Sequence, residues 1–390
     1  MKRVVIVLCL LSACSSQQQV ASTTEPGPST SSTGSATTTT QTPSSTSTEV
    51  ETTTTLAPLQ SLSYDSVATF PYPVQLVAMP GEDHAYVVSK DGTIWFLEGG
   101  SVAEIPVLDI SDRVRNSEEQ GLLSAALHPD DSSRLFVHYS DGGGDTVVAE
   151  YSLSDPRTAD PDSERRLLEV DQPASNHNGG MIQFALDGYL YVGLGDGGGS
   201  DDRFGNGQNI ASLLGGLVRV DVDSGEALRY SYGLRNPWRF WIDGPTIYIA
   251  DVGQNSFEEV NAVTLVEDLN FGWPITEGLH CFSPRSGCHT AGLTMPVVEV
   301  AHGDAGTCAI TGGVLYRGSL IPEIVGQYFY SDYCGGYLRS FSFDGEAATN
   351  PNDWTQQVGV PGSVTGFGVD GAGEMYLTTE SELLRVVAVR

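Results

Sequence analysis

A short strand signal recurs six times along the chain from residue 90 onward, and this repeat leaves few folds open. In each copy an apolar or aromatic step lies beside a turn or polar residue, which is typical of short β-strands joined by tight turns. The copies are Asp91–Trp95, Arg134–Val137, Asp187–Val192, Thr246–Ile249, Gly326–Tyr330 and Gly373–Leu377. Their aromatic residues, at positions 95, 136, 191, 248, 329 and 376, are 41, 55, 57, 81 and 47 residues apart.

These intervals are near the length of a four-stranded unit, so the repeat predicts an all-β fold, a six-bladed β-propeller. The interval of 81 residues predicts an insertion. The 45 glycines and 20 prolines among 390 residues agree with many tight turns. A helical solenoid is disfavoured because long segments with a 3.6-residue apolar period are missing. A pair of β-sandwiches stays open but does not explain the recurring aromatic step.

The N-terminus has the pattern of an export signal. Lys2 and Arg3 precede the apolar run Val4–Leu11, which is too short to span a bilayer and fits the apolar region of a secretory signal. The run leads into Leu11–Cys14, which resembles a bacterial lipobox. That resemblance implies cleavage before Cys14 and acylation of its thiol; an ordinary signal peptide is the alternative.

Serine and threonine dominate the next residues, to about residue 58, and large apolar residues are scarce there. Such a segment cannot bury enough apolar surface to fold and is typical of a flexible tether. We therefore expect a lipoprotein signal peptide at residues 1–13, a disordered linker at 14–58 and the propeller at 59–390. The protein would be exported and held at the cell envelope by its lipid anchor.

The cysteines agree with export. Of six cysteines, two lie in the N-terminal signal, and four remain: Cys281, Cys288, Cys308 and Cys334. An even number in an exported domain predicts disulfides. Cys281 and Cys288 share one loop containing Gly, Pro and Ser, so a local bridge is expected there, and Cys308 would then pair with Cys334. A four-cysteine zinc site is the alternative, but the spacing C-x₂-C is missing.

The charge of the chain limits its partners. The formal net charge is -30, and only 17% of the residues are charged. Nucleic acid is a poor partner, because phosphate binding needs clustered lysine and arginine. The same charge repels an anionic membrane surface, so contact with a membrane is expected only through the lipid anchor. Neutral sugars and bound Ca²⁺ are compatible with this charge.

The densest polar cluster flanks the third strand signal. Asn176–Gly180 precedes the strand, and Gly195–Gly199 follows it. A hairpin would bring His177 and Asp196 together. A carboxylate that accepts from one imidazole nitrogen leaves the other as a general base. The alternative is that both residues only shape turns.

Two further clusters carry polar groups. Tyr232–Trp238 contains Arg235 and Asn236, which suit carboxylate or carbonyl oxygens, although stacking of the arginine on Trp238 is the alternative. Asp251–Asn261 is dense in oxygen ligands of the kind that Ca²⁺ prefers, but it is no EF-hand loop. An acidic loop that is merely solvated explains it equally well.

Together these stretches resemble the soluble quinoprotein glucose dehydrogenase and sorbosone dehydrogenase family, which includes aldose sugar dehydrogenases. The similarity covers about residues 65 to 390 in consistent order. The matching stretches are Glu119–Pro129, Asn176–Gly180, Gly193–Asn209, Leu213–Gly215, Tyr232–Trp238, Ala250–Asn261, Asn270–Pro274 and Ile310–Gly318. The resemblance implies a six-bladed propeller, in agreement with the repeat, and a sugar dehydrogenase that uses pyrroloquinoline quinone (PQQ) and Ca²⁺.

The resemblance also implies roles for individual residues. His177 matches the general base that takes a proton from a sugar hydroxyl while hydride passes to PQQ, and Asp196 matches the carboxylate that orients it. Arg235 and Asn236 match residues that contact the quinone, with the arginine stabilising developing oxyanion charge. Arg317 matches a basic residue that binds a cofactor carboxylate.

The implied metal ligands form two sets. Gly253 and Gln254 match the carbonyl ligands of the Ca²⁺ that holds the quinone. Glu259 and the carbonyl of Phe271 match a second, structural Ca²⁺.

Some positions depart from the family pattern. Tyr337 stands where the family often has arginine, although Arg339 lies two residues on and is a candidate for the same role. Gly216 replaces a basic residue. Asp201 falls near a substrate-contacting glutamine, for which Gln208 is a possible substitute. These changes bear on cofactor affinity and sugar choice more than on fold.

Three functions therefore stay open. The first is a PQQ-dependent sugar dehydrogenase with a sugar substrate and an external electron acceptor, based on His177, Asp196, Arg235, Asn236 and Gly253. The second is a non-catalytic propeller that binds a partner from the end of a stalk, which Tyr337 favours. The third is a Ca²⁺-dependent hydrolase of the lactonase kind.

Overall fold

Short antiparallel strands make up nearly all of the regular structure, as the strand signals predict. The computed structural model describes residues 56–390. The proposed signal peptide, Cys14 and most of the proposed linker lie outside these residues. In the described part of the chain no helix has the length and apolar character needed to cross a membrane.

The strands run through the whole described chain. The first ten are β1 Ser61–Thr69, β2 Pro73–Val77, β3 His84–Ser89, β4 Thr93–Glu98, β5 Ser101–Val102, β6 Leu108–Asp109, β7 Leu122–His128, β8 Asp131–Ser140, β9 Thr146–Asp155 and β10 Thr158–Val170. The next eight are β11 Ile182–Phe184, β12 Leu190–Leu194, β13 Gly216–Val220, β14 Ala227–Arg229, β15 Ser231–Tyr232, β16 Pro237–Asp243, β17 Thr246–Asp251 and β18 Phe257–Thr264.

The remaining strands begin inside an inserted segment. They are β19 Leu269–Asn270, β20 Thr276–Glu277, β21 His280–Cys281, β22 Val298–Ala301, β23 Ile310–Leu315, β24 Gln327–Asp332, β25 Arg339–Phe343, β26 Ala348–Asp353, β27 Val364–Val369, β28 Met375–Thr379 and β29 Glu382–Val389. The only helices in residues 56–390 are short: two 3₁₀ turns at Asp304–Gly306 and Pro322–Ile324, and α1 at Thr355–Val358.

Most strands belong to four-stranded antiparallel sheets made from neighbouring segments of the chain. Their orders are β10-β9-β8-β7, β11-β12-β13-β14, β16-β17-β18-β22 and β23-β24-β25-β26. A larger sheet of nine strands has the order β1-β29-β28-β27-β2-β3-β4-β5, with β6 beside β4. Within it, a single parallel bridge, Leu76 to Gly368, joins β27 to β2. On either side of that bridge lies an antiparallel group like the other four.

The first strands of successive groups form a closed circuit. β2 contacts β7, β7 contacts β11, β11 contacts β16, β16 contacts β23, β23 contacts β27, and β27 pairs with β2. We call these six the inner strands. Apolar clusters fill the spaces between neighbouring groups; one contains Phe136, Ile182 and Val218. Each buried aliphatic or aromatic side chain of this kind contributes about 1.5–3 kcal/mol.

Five of the six aromatic steps occupy one equivalent place, the second strand of a group. Phe136, Tyr191, Tyr248, Phe329 and Tyr376 lie on β8, β12, β17, β24 and β28. Trp95 differs, because it lies on β4, the third strand of its group. Five of the six strand signals therefore mark the second strand of a group, and the first signal marks a third strand.

The long fourth interval contains the expected insertion. Strands β19 to β21 lie between β18 and β22, and the disulfide Cys281–Cys288 closes a loop within this segment. A second disulfide, Cys308–Cys334, joins the approach to β23 with the turn that follows β24. Both predicted pairings are therefore present.

Candidate active site

The two ends of the inner strands enclose different cavities. At the end where these strands begin lies a cavity of about 260 Å³, which we call the upper chamber; its wall includes Tyr72, Lys90, Glu119, Asn236 and Trp238. Where the inner strands end lies a cavity of about 540 Å³, which we call the lower funnel. Its wall includes Met79, Met181, Phe184, Trp241 and Arg317.

The structure brings His177 and Asp196 together beside the upper chamber. His177 lies in the loop before β11 and Asp196 directly follows β12, its antiparallel partner, so the hairpin returns the carboxylate to the imidazole. Nδ1 of His177 is 2.7 Å from Oδ1 of Asp196, and both residues are buried. A carboxylate only accepts, so Nδ1 carries a proton, and in the neutral imidazole Nε2 keeps its lone pair. Among residues 56–390, Nε2 has no hydrogen-bond partner.

Asp196 is held by two further donors. The indole Nε1 of Trp273 donates to Oδ2 at 2.9 Å, and the N–H of Gly198 donates to Oδ1 at 2.9 Å. The carboxylate therefore fixes both the orientation and the tautomer of His177.

A second carboxylate fixes the backbone of His177. The residue has a φ of 57°, in the left-handed region that costs a non-glycine residue about 1–2 kcal/mol. Its N–H donates to Oε2 of Glu119 at 2.8 Å, and the same oxygen accepts from Nδ2 of Asn236 at 3.0 Å. Gly195 permits this arrangement, because a Cβ there would lie 2.0 Å from the carbonyl oxygen of His177.

Arg235 and Asn236 lie together before β16, as the motif suggested. Their N–H groups donate to the carboxylate of Asp251 at 2.8 and 2.6 Å. Burial raises the pKa of Asp251 to about 7, against the opposing effect of those donors. Nη1 of Arg235 donates to the carbonyl oxygens of Val252 and Gly253 at 2.9 and 2.6 Å. Its Nε is buried without a partner among residues 56–390.

The residues expected to bind the first calcium ion, Gly253 and Gln254, are hydrogen-bonded to neighbouring residues. The Gly253 carbonyl accepts from Arg235. Gln254 is paired with Asp201: its Oε1 accepts from the Asp201 N–H at 2.6 Å, and its Nε2 donates to Oδ1 of Asp201 at 3.0 Å. The Gln254 N–H donates to Glu277 at 2.7 Å.

Glu259, expected at the second calcium ion, faces another buried carboxylate. It is the antiparallel partner of Asp251 in the β17–β18 ladder. Burial, together with the charge of Asp251, holds the pKa of Glu259 well above its usual range. Its carboxylate accepts from Nδ2 of Asn261 at 3.0 Å and from the N–H of Gly278 at 2.9 Å. Phe271 is buried, and its N–H donates to the carbonyl of Tyr232 at 2.9 Å.

The structure does not bring Arg317 and Arg339 to the upper chamber. Arg317 follows β23 at the lower funnel, where its Nη2 is 2.6 Å from Oδ2 of Asp243. Arg339 lies on β25 and is paired with Asp353 at 2.9 Å and with Asp304 at 3.2 Å. Its guanidinium covers the ring of Tyr337.

The structure also shows the surroundings of three other residues at positions that depart from the family pattern. Tyr337 is buried within the apolar cluster that contains Tyr330 and Phe341. Gly216 has no room for a side chain, because a Cβ there would lie 2.1 Å from the carbonyl oxygen of Ser231. Gln208 donates to the carbonyl of Trp273 at 2.7 Å and is thereby committed to the surrounding loop.

Three residues of this region were not singled out from the sequence: Glu119, Lys90 and Trp273. Glu119 and Trp273 lie inside matched stretches, so position within a motif was the available signal. Lys90 lies in the turn before the first strand signal, and nothing in the local pattern separates it from an ordinary turn lysine. Its importance depends on burial, which only the folded chain shows.

Fold and site together define an all-β ring with a buried imidazole–carboxylate pair beside a chamber at one mouth. The chain belongs to the glucose/sorbosone dehydrogenase family, whose model matches residues 70–385.

Its relatives include enzymes and proteins of other names. The HIPL1 protein of Arabidopsis thaliana is 28% identical over 79% of this chain and 60% of its own length. The human hedgehog-interacting protein is 25% identical over 77% of this chain and 47% of its own length. The aldose sugar dehydrogenase YliI of Escherichia coli is 26% identical over 65% of this chain and 72% of its own length. The chain thus spans less than two thirds of the plant and human relatives.

Solved structures show the same fold. The PQQ-bound aldose sugar dehydrogenase of Streptomyces coelicolor superposes with a TM-score of 0.67, at 23% identity, over 85% of this chain and 100% of that one. The soluble aldose sugar dehydrogenase of Escherichia coli, in its apo form, gives a TM-score of 0.70 at 21% identity, over 84% and 100%.

Proposed function

We propose that the protein is a sugar dehydrogenase that oxidises an aldose with PQQ as cofactor and passes the electrons to an external acceptor. The observation that carries this proposal is the buried pair of His177 and Asp196, which leaves Nε2 of the imidazole without a hydrogen-bond partner in the described chain. The family assignment and the aldose sugar dehydrogenases among the relatives support the substrate class.

The groups around the pair fit an anionic quinone. Arg235 has a buried Nε without a partner in the described chain, and such a donor is suited to an anionic oxygen. Lys90 is a second buried cation, in the wall of the chamber. PQQ, when bound, supplies the acceptor for the hydride. Arg235, Asn236 and Lys90 would hold it.

Residues of the chain accept the proton that the sugar hydroxyl releases. His177 accepts the proton of the sugar hydroxyl at Nε2, while the hydride leaves the carbon that bears this hydroxyl. Asp196 accepts from Nδ1–H throughout, so it stabilises the imidazolium that forms. Glu119 keeps the His177 backbone and the Asn236 amide in fixed positions. Arg235 places positive charge where negative charge develops.

We also propose calcium at both predicted sites, at the carbonyls of Gly253 and Gln254 and at Glu259 with the carbonyl of Phe271. Asp251 and Glu259 support the second site, since two facing buried carboxylates repel each other and a divalent cation keeps both ionised. At the first site, calcium requires Arg235 to release the Gly253 carbonyl that it now contacts.

The closed circuit of inner strands supports a six-bladed propeller. Each inner strand starts one antiparallel group, and the large sheet contributes two such groups.

We further propose that the domain is exported and anchored by acylated Cys14. Cys14→Ser should move the protein from the detergent phase to the aqueous phase, or leave it uncleaved, without changing turnover. Equal partitioning of both forms contradicts the anchor.

A binding module without catalysis is the second candidate. Arg317 and Arg339, expected at the cofactor, lie elsewhere, and hedgehog-interacting proteins are among the relatives. This candidate predicts that the chain neither binds PQQ nor reduces a dye.

One experiment separates these functions. The protein is reconstituted with PQQ and Ca²⁺ and assayed on a panel of aldoses with an artificial electron acceptor. Dye reduction that needs both additions supports the dehydrogenase. Absence of both PQQ binding and turnover favours the binding module, and lactone hydrolysis without quinone identifies a hydrolase.

A further inference from the structure

We propose that Lys90, seated on the ring of Tyr72, binds a carboxylate of the planar aromatic cofactor in the upper chamber. In this chain it takes the role that the family resemblance gives to Arg317. The inference rests on the proposed function, because it concerns how the same site holds PQQ.

Lys90 is fixed in the chamber wall from both sides. It follows β3, where its N–H donates to the Tyr72 carbonyl at 2.9 Å and its own carbonyl accepts from the Leu122 N–H at 3.0 Å. The stem of the side chain runs along Gly121. A Cβ at Gly121 would lie 2.4 Å from Cγ of Lys90, so only glycine leaves room for this path.

The ammonium group is buried but has no ionic partner. Lys90 is 8% exposed, and its Nζ donates to Oδ1 of Asn116 at 3.2 Å. In the described residues no carboxylate oxygen lies within 4.0 Å of Nζ. An ammonium has three donors, so two remain for a ligand. A buried cation without a partner is costly, and binding of an anion relieves that cost.

The nearby glutamates are already engaged by other donors. Oε2 of Glu119 accepts from His177 and from Asn236, and Oε2 of Glu118 accepts from Oγ of Ser175 at 2.6 Å. Burial lowers the pKa of Lys90, whereas the charge of Glu119 opposes this effect. Glu119 thus favours the ammonium form without occupying its donors.

The chamber wall around Lys90 is aromatic, which is a second and independent indication of a planar ligand. Nζ lies 5.2 Å from the centroid of the Tyr72 ring. Tyr72 has a φ of 56°, a strained conformation of the kind that clusters at ligand sites. Its hydroxyl is 3.3 Å from that of Tyr333, and Trp238 also lines the cavity. Aromatic faces with one adjacent cation suit a flat ring that carries carboxylates.

The arginines that would compete for this role are occupied elsewhere. Arg317 is paired with Asp243 at the lower funnel, and Arg339 is shared by Asp304 and Asp353. Lys90 therefore supplies the carboxylate contact that neither arginine makes from its position.

Isothermal titration of PQQ into the full-length, calcium-loaded protein tests this. Loss of a charge-assisted contact should weaken PQQ binding by about tenfold to hundredfold in Lys90→Met. Lys90→Arg, which keeps the charge, should recover most of the affinity. Arg317→Met is the matched control and should bind as the unchanged protein does. Circular dichroism and thermal melting establish that each variant is folded.

The outcomes separate the two claims. If the unchanged protein binds PQQ and Lys90→Met binds it equally well, or if Arg317→Met weakens it instead, the role of Lys90 is wrong while the proposed function stands. If the unchanged protein does not bind PQQ, the proposed cofactor is wrong and the role of Lys90 falls with it.

Discussion

The two ends of the inner strands differ in which residues adopt left-handed backbone conformations. At the lower end, the chain reverses through left-handed positions that are occupied by glycine, as at Gly188, Gly244 and Gly373. At the upper end, Tyr72 and His177 adopt left-handed conformations although each carries a bulky side chain. Strain is therefore avoided at these three lower turns and retained at Tyr72 and His177.

The cationic side chains at the two ends also differ in their burial and in their pairing with carboxylates. At the lower funnel, Arg317 is about half exposed and paired with Asp243, so its charge is satisfied in solvent. At the upper chamber, Lys90 is buried without a carboxylate partner, and Arg235 keeps an unpaired buried nitrogen. Strain and unpaired charge are stable only where surrounding contacts or a ligand compensate them. The comparison supports our proposal that the upper mouth is the functional one.

The largest expected effect tests the imidazole at the upper mouth. His177→Ala removes the proton acceptor, so kcat should fall by about 10²–10⁴-fold in the dye assay. PQQ binding should persist, because its contacts come from other residues. His128→Ala, at the lower end of β7, is the matched control and should keep full turnover. Near-normal turnover of His177→Ala on any sugar rejects the mechanism.

The two disulfides should differ in their contribution to stability. Cys308 and Cys334 are 26 residues apart, whereas Cys281 and Cys288 are 7 apart. Loop entropy then predicts losses of about 3.5 and about 2.4 kcal/mol for the paired serine variants, measured by denaturant unfolding. Because Ala309 and Tyr333 line the chamber next to the longer bridge, only its loss should also weaken PQQ binding. Equal effects of both variants on binding contradict this assignment.

Calcium should stabilise the upper half of the molecule through Glu259. At a concentration a hundredfold above Kd, one bound ion adds about 2.7 kcal/mol, which appears as a rise in Tm. Glu259→Gln should lose much of this response. Glu374→Gln, a buried glutamate at the lower end that holds the Tyr316 hydroxyl, should retain it. A full calcium response in Glu259→Gln places the ion elsewhere.

A smaller effect is expected when the imidazole is kept and its orienting carboxylate is altered. Asp196→Asn allows the wrong tautomer and withdraws the charge that supports the imidazolium, so kcat should fall by roughly tenfold to hundredfold. Asp187→Asn is the matched control, because Asp187 lies before β12 at the lower end and holds the Tyr191 hydroxyl. If both variants turn over alike, Asp196 has no orienting role.

Much of the fold was predictable because its signals are local. Each strand group carries an apolar–aromatic step and a turn, and these lie next to each other in the sequence. The proximity of His177 and Asp196 followed from one hairpin, β11 to β12, and needed no long-range information. Cys281 and Cys288 share one loop, which predicts a disulfide between them. The other two cysteines could then pair only with each other.

The positions of the cations were not predictable in the same way. Arg317 lies only seven residues after Ile310, yet β23 runs from the upper chamber to the lower funnel between them. A rise of about 3.3 Å per residue is enough to separate the two mouths. Lys90 and Asn236 meet at one chamber although they are far apart in sequence. Burial of a charge depends on such long-range packing, which motif spacing does not encode.

The pairing of β1 with β29 has a consequence for how the chain is made. β1 lies near the start of the described chain, and its antiparallel partner is the last strand. During synthesis the outer place of the last group therefore stays vacant, and β1 presents an unpaired edge, until almost the whole polypeptide has emerged. Completion of the last group depends on this non-local contact, which is slow to form. A ribosome that stops shortly before Glu382 releases a chain that has all six inner strands but leaves β1 without its partner strand.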